Sequence, residues 1–268
     1  MIEKVNKFHP DKVADRIAGA LVDLAYTKNN DPRIAVEVLL GHNLCTVIIE
    51  TDLETDQETD QDITEQEIQS IVERIAGKME IKVVIVKQDI ILNGNSGAGD
   101  NGIFLGIPQT EEEKIITEIA KKMDFAFKSD GKYIIDGDRL IVCQSNATEK
   151  EIEEVLRNFN YRKIINPLGE WTGGTNVDTG CTNRKLGSDL GHSVTGGGIN
   201  GKDVNKADVC LNIYCFLEAQ KTGKKVEMSC AIGDKIIGGK PFEFYKQYAL
   251  DYINSIGGFE KLSEYGLQ

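Results

Sequence analysis

Four short stretches of the chain combine side chains suited to handling a polyanionic ligand. In His9-Pro10-Asp11-Lys12 an imidazole, a carboxylate and an ammonium stand at the start of a helical pattern, where the free N–H groups of a helix N-terminus favour anions. Gly97-Ala98-Gly99-Asp100-Asn101-Gly102 allows a tight backbone around one carboxylate. Two adjacent cations, Arg184 and Lys185, follow Asp178 inside a glycine-rich segment. The fourth stretch, Gly196-Gly197-Gly198-Ile199-Asn200-Gly201-Lys202-Asp203, fits the phosphate-loop spacing G-x-x-x-x-G-K, but Asp203 stands where that motif needs Ser or Thr for magnesium. The preceding Leu190-Gly191-His192-Ser193-Val194-Thr195 is no apolar strand either. These two mismatches exclude a phosphate-loop NTPase. A glycine segment presenting Lys202 and Lys206 still suits close approach to phosphates, and Asp208 follows at a spacing suited to a metal ion held against them. Taken singly, each stretch also fits a plainer role: a helix-dipole partner, a turn or a surface charge pair.

The elements that must position these residues can be read from periodicity. Val13, Ile17, Leu21 and Leu24 recur at helical spacing after Pro10, which predicts an amphipathic helix of about four turns. Residues 33–50 are β-branched and apolar with a break at Gly41-His42-Asn43, as expected of two strands joined by a tight turn. An acidic near-repeat fills the region from Glu50 to Glu67 and reads as a solvated loop. It ends in Thr64-x-x-Glu67, a capping box for a helix over 64–77. A β-prone run over 81–92 gives way to the glycine loop. Further helices are expected at 111–123, 148–159, 207–222 and 241–256, a hairpin around 129–138 and a strand near 226–232. The stretch from 166 to 206 reads as loop-dominated, and such length inside a folded protein marks function.

Bulk properties narrow the classes. The 268 residues are 40% hydrophobic, enough for a substantial core. A formal net charge of -12 argues against nucleic acid and anionic membranes as partners. No apolar run has the roughly 18 residues of a membrane span, and the first residues, MIEKVNKFHPDK, lack the apolar stretch of a signal peptide. A cytoplasmic protein is expected. The six cysteines form no CxxC pair and read as buried free thiols rather than disulfides or a zinc site at Cys210 and Cys215.

Taken together and in order, the motifs resemble those of the methionine adenosyltransferase (S-adenosylmethionine synthase) family. Its GHPDK segment is matched by Phe8 to Lys12, continued as Val13-Ala14-Asp15, and its GAGDQG loop by residues 97–102. Its later GG, D-x-G-L-T-G-R-K and GGGAFSGKD-x-x-K-V-D segments are matched by Gly173-Gly174, Asp178 to Lys185, and 196–208. Asp130-Gly131-Lys132, Ile165-Asn166-Pro167-x-Gly169 and Ala231-Ile232-Gly233 look like further landmarks. Departures are Phe8 and Asn183, each in place of glycine, Val209-Cys210 in place of Arg-Ser, and a short stretch between Gln88 and Gly97 where the family has a gating loop. The likeness thins after about residue 233.

The resemblance implies an α/β (α+β) fold of three interleaved, similar units around pseudo-threefold symmetry, the third truncated, within one catalytic unit spanning 1–268. Approximate bounds are 1–8 with 110–170, 9–90 with 171–208, and 91–109 with 209–268. It implies that methionine sulfur attacks C5′ of ATP and displaces triphosphate, which is hydrolysed to pyrophosphate and phosphate. His9, Lys132, Asp178, Arg184, Lys185 and Lys202 would act in catalysis. ATP would also meet Asp130, Trp171 stacking on adenine, and Ile232, while methionine would meet Glu50, Gln88, Asp100, Asp178 and Lys206. Magnesium, two ions, would be held by Asp11 and Asp208, and potassium by Glu37. A homodimer with shared sites is implied as well. The rival readings are a catalytically degenerate ATP-binding homologue and a triphosphate hydrolase. Retained metal ligands and leaving-group cations argue against the first, and Glu50, Gln88 and Asp100 against the second. On this resemblance Lys202→Ala is expected to cost about 3–4 kcal/mol in the transition state.

Overall fold

The computed structural model describes residues 1–52, 63–89, 97–190, 199 and 203–268. Four of its elements build the platform for the N-terminal motif: strand β1 (Ile2–Val5), helix α1 (Pro10–Lys28), and the hairpin strands β2 (Ile34–Gly41) and β3 (Leu44–Thr51). Pro10 opens α1 because its missing N–H costs nothing at a helix start. His42 and Asn43 turn the hairpin with φ of 50° and 64°, the left-handed pair that matches strand twist. Thr64 and Glu67 form the expected capping box of α2 (Glu65–Ala76), which returns the chain to β4 (Glu80–Lys87), parallel to β3.

Strand β5 (Gly102–Gly106) follows, then α3 (Glu111–Phe127), the hairpin β6 (Gly131–Asp136) and β7 (Arg139–Gln144), α4 (Glu149–Val155) and β8 (Arg162–Ile165). Inside the stretch expected to be loop, β9 (Gly180–Cys181) and α5 (Leu186–Leu190) form. The chain continues through α6 (Ala207–Thr222), β10 (Val226–Cys230), the short pair β11 (Ile236–Ile237) and β12 (Lys240–Pro241), α7 (Phe242–Ile256) and α8 (Phe259–Tyr265). β1, β8, β9, α5 and α8 are too short for a periodic signal and were not expected from the sequence. The helix expected at 148–159 stops at Val155.

The two four-stranded sheets, β1-β6-β7-β8 and β9-β2-β3-β4, share one plan. In each an antiparallel hairpin is flanked on one side by an antiparallel strand and on the other by a parallel strand. β5 and β10 pair antiparallel as a two-stranded sheet. A large apolar core packs α1, α6, α7 and α8 against the inner face of β9-β2-β3-β4, with Ile17, Leu21, Val36, Val47, Ile213 and Phe216 buried. A second core joins α3 and α4 to β6 and β7 and is plugged by Tyr265. Cys45, Cys210 and Cys215 are buried free thiols, as expected, whereas Cys143, Cys181 and Cys230 are only half-buried. No described helix is long and apolar enough to cross a membrane.

Candidate active site

The site grows from the turn between β1 and α1. Asn6 is fully buried, donates to Ser129 O at 2.8 Å, and accepts from Gly131 N–H at 3.2 Å, while its backbone carbonyl accepts from His9 N–H at 3.1 Å. This one residue ties the first turn of α1 to the loop before β6, and so brings Asp130 towards His9 and Asp11. Nothing in the sequence singled it out. His9 caps α1, its Nδ1 accepting the Asp11 N–H at 3.2 Å. Burial pushes the His9 imidazole down to about 4, with Lys185 and Lys132 adding to the effect of burial against the pull of Asp11. The ring is therefore neutral at pH 7. Because Nδ1 accepts, its proton sits on Nε2.

Asp11 is the centre of the cluster. Its Oδ1 accepts from Cys181 N–H at 2.9 Å and Arg184 Nε at 2.8 Å, and Lys185 Nζ stands 2.8 Å from Oδ2. Burial opposes its ionisation, but the Lys185 ammonium and the Cys181 N–H hold its carboxyl below the usual range. The approach that makes this possible needs Gly180, where a Cβ would stand 2.0 Å from Pro10 O. Arg184 also donates to Thr179 O at 2.6 Å, and its side chain stays 49% exposed. Asp178 is exposed beside it and accepts its neighbour's Thr179 N–H at 2.7 Å.

From the other sheet come Asp130 and Lys132. Asp130 is buried, accepts Gly174 N–H at 3.1 Å, and is pushed up to about 6 by burial, with Asp178 and Asp11 adding to it. Lys132 pairs with Glu3 at 2.8 Å at the rim. Trp171 is half-buried, donates Nε1–H to Asn166 Oδ1 at 3.2 Å, and lines a cavity of about 320 Å³ with Cys143, Pro167 and Leu168. Glu37 accepts from the Thr182 hydroxyl and, at 3.4 Å, from the Asn183 amide. Asn183, a departure from the family pattern, thus acquires a role as an oxygen and amide neighbour of Glu37.

A second ionic group lies one helix position away. Lys12 Nζ stands 2.6 Å from Asp189 Oδ1 and 3.3 Å from Asp15 Oδ2, all three buried. Burial raises the Asp15 carboxyl to about 7, Lys12 pulling it down and Asp189 pushing it up. Lys12 was expected to meet solvent or an anion; the fold encloses it instead. Asp15 continues the GHPDK-like segment but was given no role in the site, and Asp189 carries no sequence signal that marks it.

Of the residues expected to hold methionine, Asp178 lies with the nucleotide cluster, and Glu50, Gln88, Asp100 and Lys206 form a separate group. Glu50 is half-buried near the end of β3, facing Ala35 and Val86 in the neighbouring strands. Gln88, past β4, is buried and donates its backbone N–H to Thr51 O at 3.0 Å. Gly99 N–H donates to Asn205 O at 3.1 Å, and a Cβ on Gly99 would meet that oxygen at 2.8 Å. This close approach sets the exposed Asp100 near Lys206, the residue preceding α6, with buried Asp208 in its first turn. Ile232 N–H donates to Asn101 Oδ1 at 2.6 Å, joining the Ala231-Ile232-Gly233 turn to the same loop. Lys202 lies outside the described residues, as do Gly196 to Gly198.

The two groups meet the sheet at different ends. β9, which carries the Asp11 contacts, pairs at Leu39 and Leu40, whereas Glu50 pairs with Ala35, about 13–17 Å away along the strand at its ordinary rise. Between them one sheet face presents Leu39, Leu44, Ile48, Val84 and Val86, exposed at 37–54%.

Residues 1–94 match the family model of the S-adenosylmethionine synthetase N-terminal domain. The S-adenosylmethionine synthase of Acholeplasma laidlawii is 26% identical, over 86% of this chain and 76% of its own length. That of Helicobacter hepaticus is 27% identical, over 77% of this chain and 68% of its own length. Among solved structures, an unusual S-adenosylmethionine synthetase from Campylobacter jejuni shares the fold, with a TM-score of 0.71 at 18% identity over 94% of this chain and 85% of that one. Residues 1–94 are thus similar to the S-adenosylmethionine synthetase N-terminal domain, and most of the chain is similar to S-adenosylmethionine synthases.

Proposed function

We propose that this protein synthesises S-adenosylmethionine from ATP and L-methionine, releasing phosphate and pyrophosphate. The observation that carries the reading is the cluster at the start of α1, where Arg184 and Lys185 converge on Asp11 beside a neutral His9. A triphosphate leaving group develops negative charge at the oxygen released from C5′, and fixed donors aimed at that charge are worth more than mobile ones in water. The sulfur lone pair forms the S–C5′ bond as the C5′–O bond breaks, and the electron pair departs with the triphosphate. His9, holding its proton on Nε2, donates towards the departing oxygens. Arg184 offers a planar fork of donors and Lys185 a point charge. Asp130 and Trp171 flank the nucleoside side, and Asp178 stands between nucleotide and methionine.

The donor chemistry fits magnesium and potassium. Magnesium favours one or two carboxylates completed by substrate phosphate oxygens rather than an all-protein cage. Asp11 is a single ionised carboxylate at the phosphate end, and Asp208 would supply the other. Once bound, magnesium would neutralise phosphate charge beside the cations. Glu37, with the Thr182 hydroxyl and Asn183 amide around it, offers hard oxygen donors for potassium.

The working unit in this proposal is a homodimer. The nucleotide group and the methionine group of one chain sit at opposite ends of one sheet, so a second copy seated on the apolar face brings one group of each chain together. An exposed contiguous apolar face of this kind marks an interaction surface. The three interleaved units, with bounds near 1–8 with 110–170, 9–90 with 171–208 and 91–109 with 209–268, belong to the same proposal. The shared plan of the two four-stranded sheets supports it.

Incubating the purified protein with ATP, methionine, magnesium and potassium and following the product by mass spectrometry tests the activity. The adenosyl-methionine sulfonium is expected, together with phosphate and pyrophosphate. Methionine-independent phosphate release without it would select a triphosphate hydrolase, and nucleotide binding without turnover a degenerate homologue.

A further inference from the structure

The nucleotide site uses Asp11 but leaves unexplained the buried ionic group next to it. Lys12, Asp15 and Asp189 are each at most 1% exposed. Removing this many charges from water is costly, and well-packed apolar side chains would often stabilise a fold as well. What an ion pair adds is direction. Asp15 Oδ1 accepts the Asn183 N–H at 2.8 Å, and Asp11 Oδ1 accepts the Cys181 N–H at 2.9 Å. Two carboxylates one helical turn apart therefore hold alternate backbone amides just before Arg184 and Lys185. Lys12 holds the same segment just after them, through Asp189.

Asp189 is itself fastened from behind. Its backbone carbonyl accepts the Leu267 N–H at 3.0 Å. Lys4 Nζ bridges Ser188 O and Tyr265 O at 2.5 and 2.6 Å, and Val5 N–H donates to Ser188 Oγ at 3.2 Å. At Gly266, with φ of 71°, a Cβ would stand 2.3 Å from Asp189 O. Residues 265–267 thus lie directly over the helix that ends the cation segment.

We propose that Lys12 is a positioning residue for the nucleotide site described above: its ion pair with Asp189, closed over by residues 265–267, sets where Arg184 and Lys185 stand relative to Asp11. Lys12 touches no substrate. Residues 265–267 act through Asp189, and through Ser188 by way of Lys4.

The test compares the full chain with Lys12→Met/Asp189→Met and with a chain ending at Tyr265, by thermal unfolding, by calorimetric titration with inorganic tripolyphosphate, and by methionine affinity. The double variant removes one buried charge of each sign and leaves Asp15, whose carboxyl burial already raises to about 7 against the pull of Lys12, to keep its proton at pH 6, where it is expected to unfold close to the unmodified protein. Its tripolyphosphate affinity falls about tenfold, equivalent to about 1.4 kcal/mol, and methionine affinity is unchanged. The shortened chain keeps every ionic group and moves in the same direction, which covers the case of a double variant that does not fold. Folded variants that bind tripolyphosphate as tightly as the unmodified protein overturn the proposal. So does equal weakening of both ligands, the mark of general loosening. A full chain that binds no tripolyphosphate overturns it too. If the full chain binds tripolyphosphate but makes no sulfonium product, the proposed activity fails while the positioning role is still decided by the titrations.

Discussion

Two ionic groups share the first turns of α1 and use the same residue types, yet they face opposite fates. Around Asp11 the cations stay reachable, with Arg184 49% exposed and Lys185 18% exposed. Around Lys12 nothing is reachable, since Lys12, Asp15 and Asp189 are enclosed. Residues 11 and 12 differ by one step around a helix, about 100°. That angle points Asp11 at the β9 turn and Lys12 into the body of the protein beneath α5. Charge type therefore does not distinguish a ligand-binding group from a framework group; what each group is packed against does.

The comparison is easiest to break at the enclosed group. Lys12→Met alone leaves two buried carboxylates without their cation, and stability measured by urea unfolding at pH 8 should drop by about 3–5 kcal/mol. A loss below about 1 kcal/mol, the value of an exposed pair, would mean that the group is wetter than its geometry indicates. At the open group the expectation is inverted. Lys185→Ala should unfold near the unmodified protein but lose about 3–4 kcal/mol of transition-state stabilisation, read as kcat/KM for ATP falling by two to three orders of magnitude.

Asp130 tests the border between the groups. Its carboxyl is raised from 3.8 to about 6 chiefly by burial, partly offset by the Gly174 N–H. The folded state binds that proton more tightly than the unfolded chain, so its contribution to stability is complete below about pH 3.8 and is lost as pH rises through about 6. Asp130→Asn should flatten this decline and raise stability at pH 8 by on the order of 2 kcal/mol. An unaltered pH profile of urea midpoints would show that burial is not what holds the proton. The smallest effect belongs far from both groups. Thr110→Ala removes the capping box that Thr110 forms with Glu113 on α3 and should cost about 1 kcal/mol of stability with kcat/KM unchanged.

Much of the architecture was legible. The helix at Val13, Ile17, Leu21 and Leu24, the His42-Asn43 hairpin and the Thr64 capping box follow from period and local chemistry, and all three form as expected. Short elements escaped because two- to five-residue strands such as β9 carry no periodicity. In the site, the order of motifs pointed to His9, Asp11, Asp130, Arg184 and Lys185, which the fold gathers in one place. It did not point to Asn6 or Asp189, and it gave Asp15 no role. Their importance lies in which backbone amide or lysine they meet across more than a hundred residues of chain, and such pairings leave no local trace. Lys12 shows the same limit from the other side, because a lysine in a phosphate-handling motif reads as a ligand contact until its surroundings are known.

The most direct test of the account is a single-turnover reaction with ATP, methionine, magnesium and potassium, run in parallel on the unmodified protein and on Lys185→Ala. A sulfonium product carrying the adenosyl group is expected from the first, appearing together with triphosphate breakdown, and a rate lower by about two to three orders of magnitude from the second. Phosphate release independent of methionine, with no sulfonium formed, or equal rates from the two proteins, would contradict it.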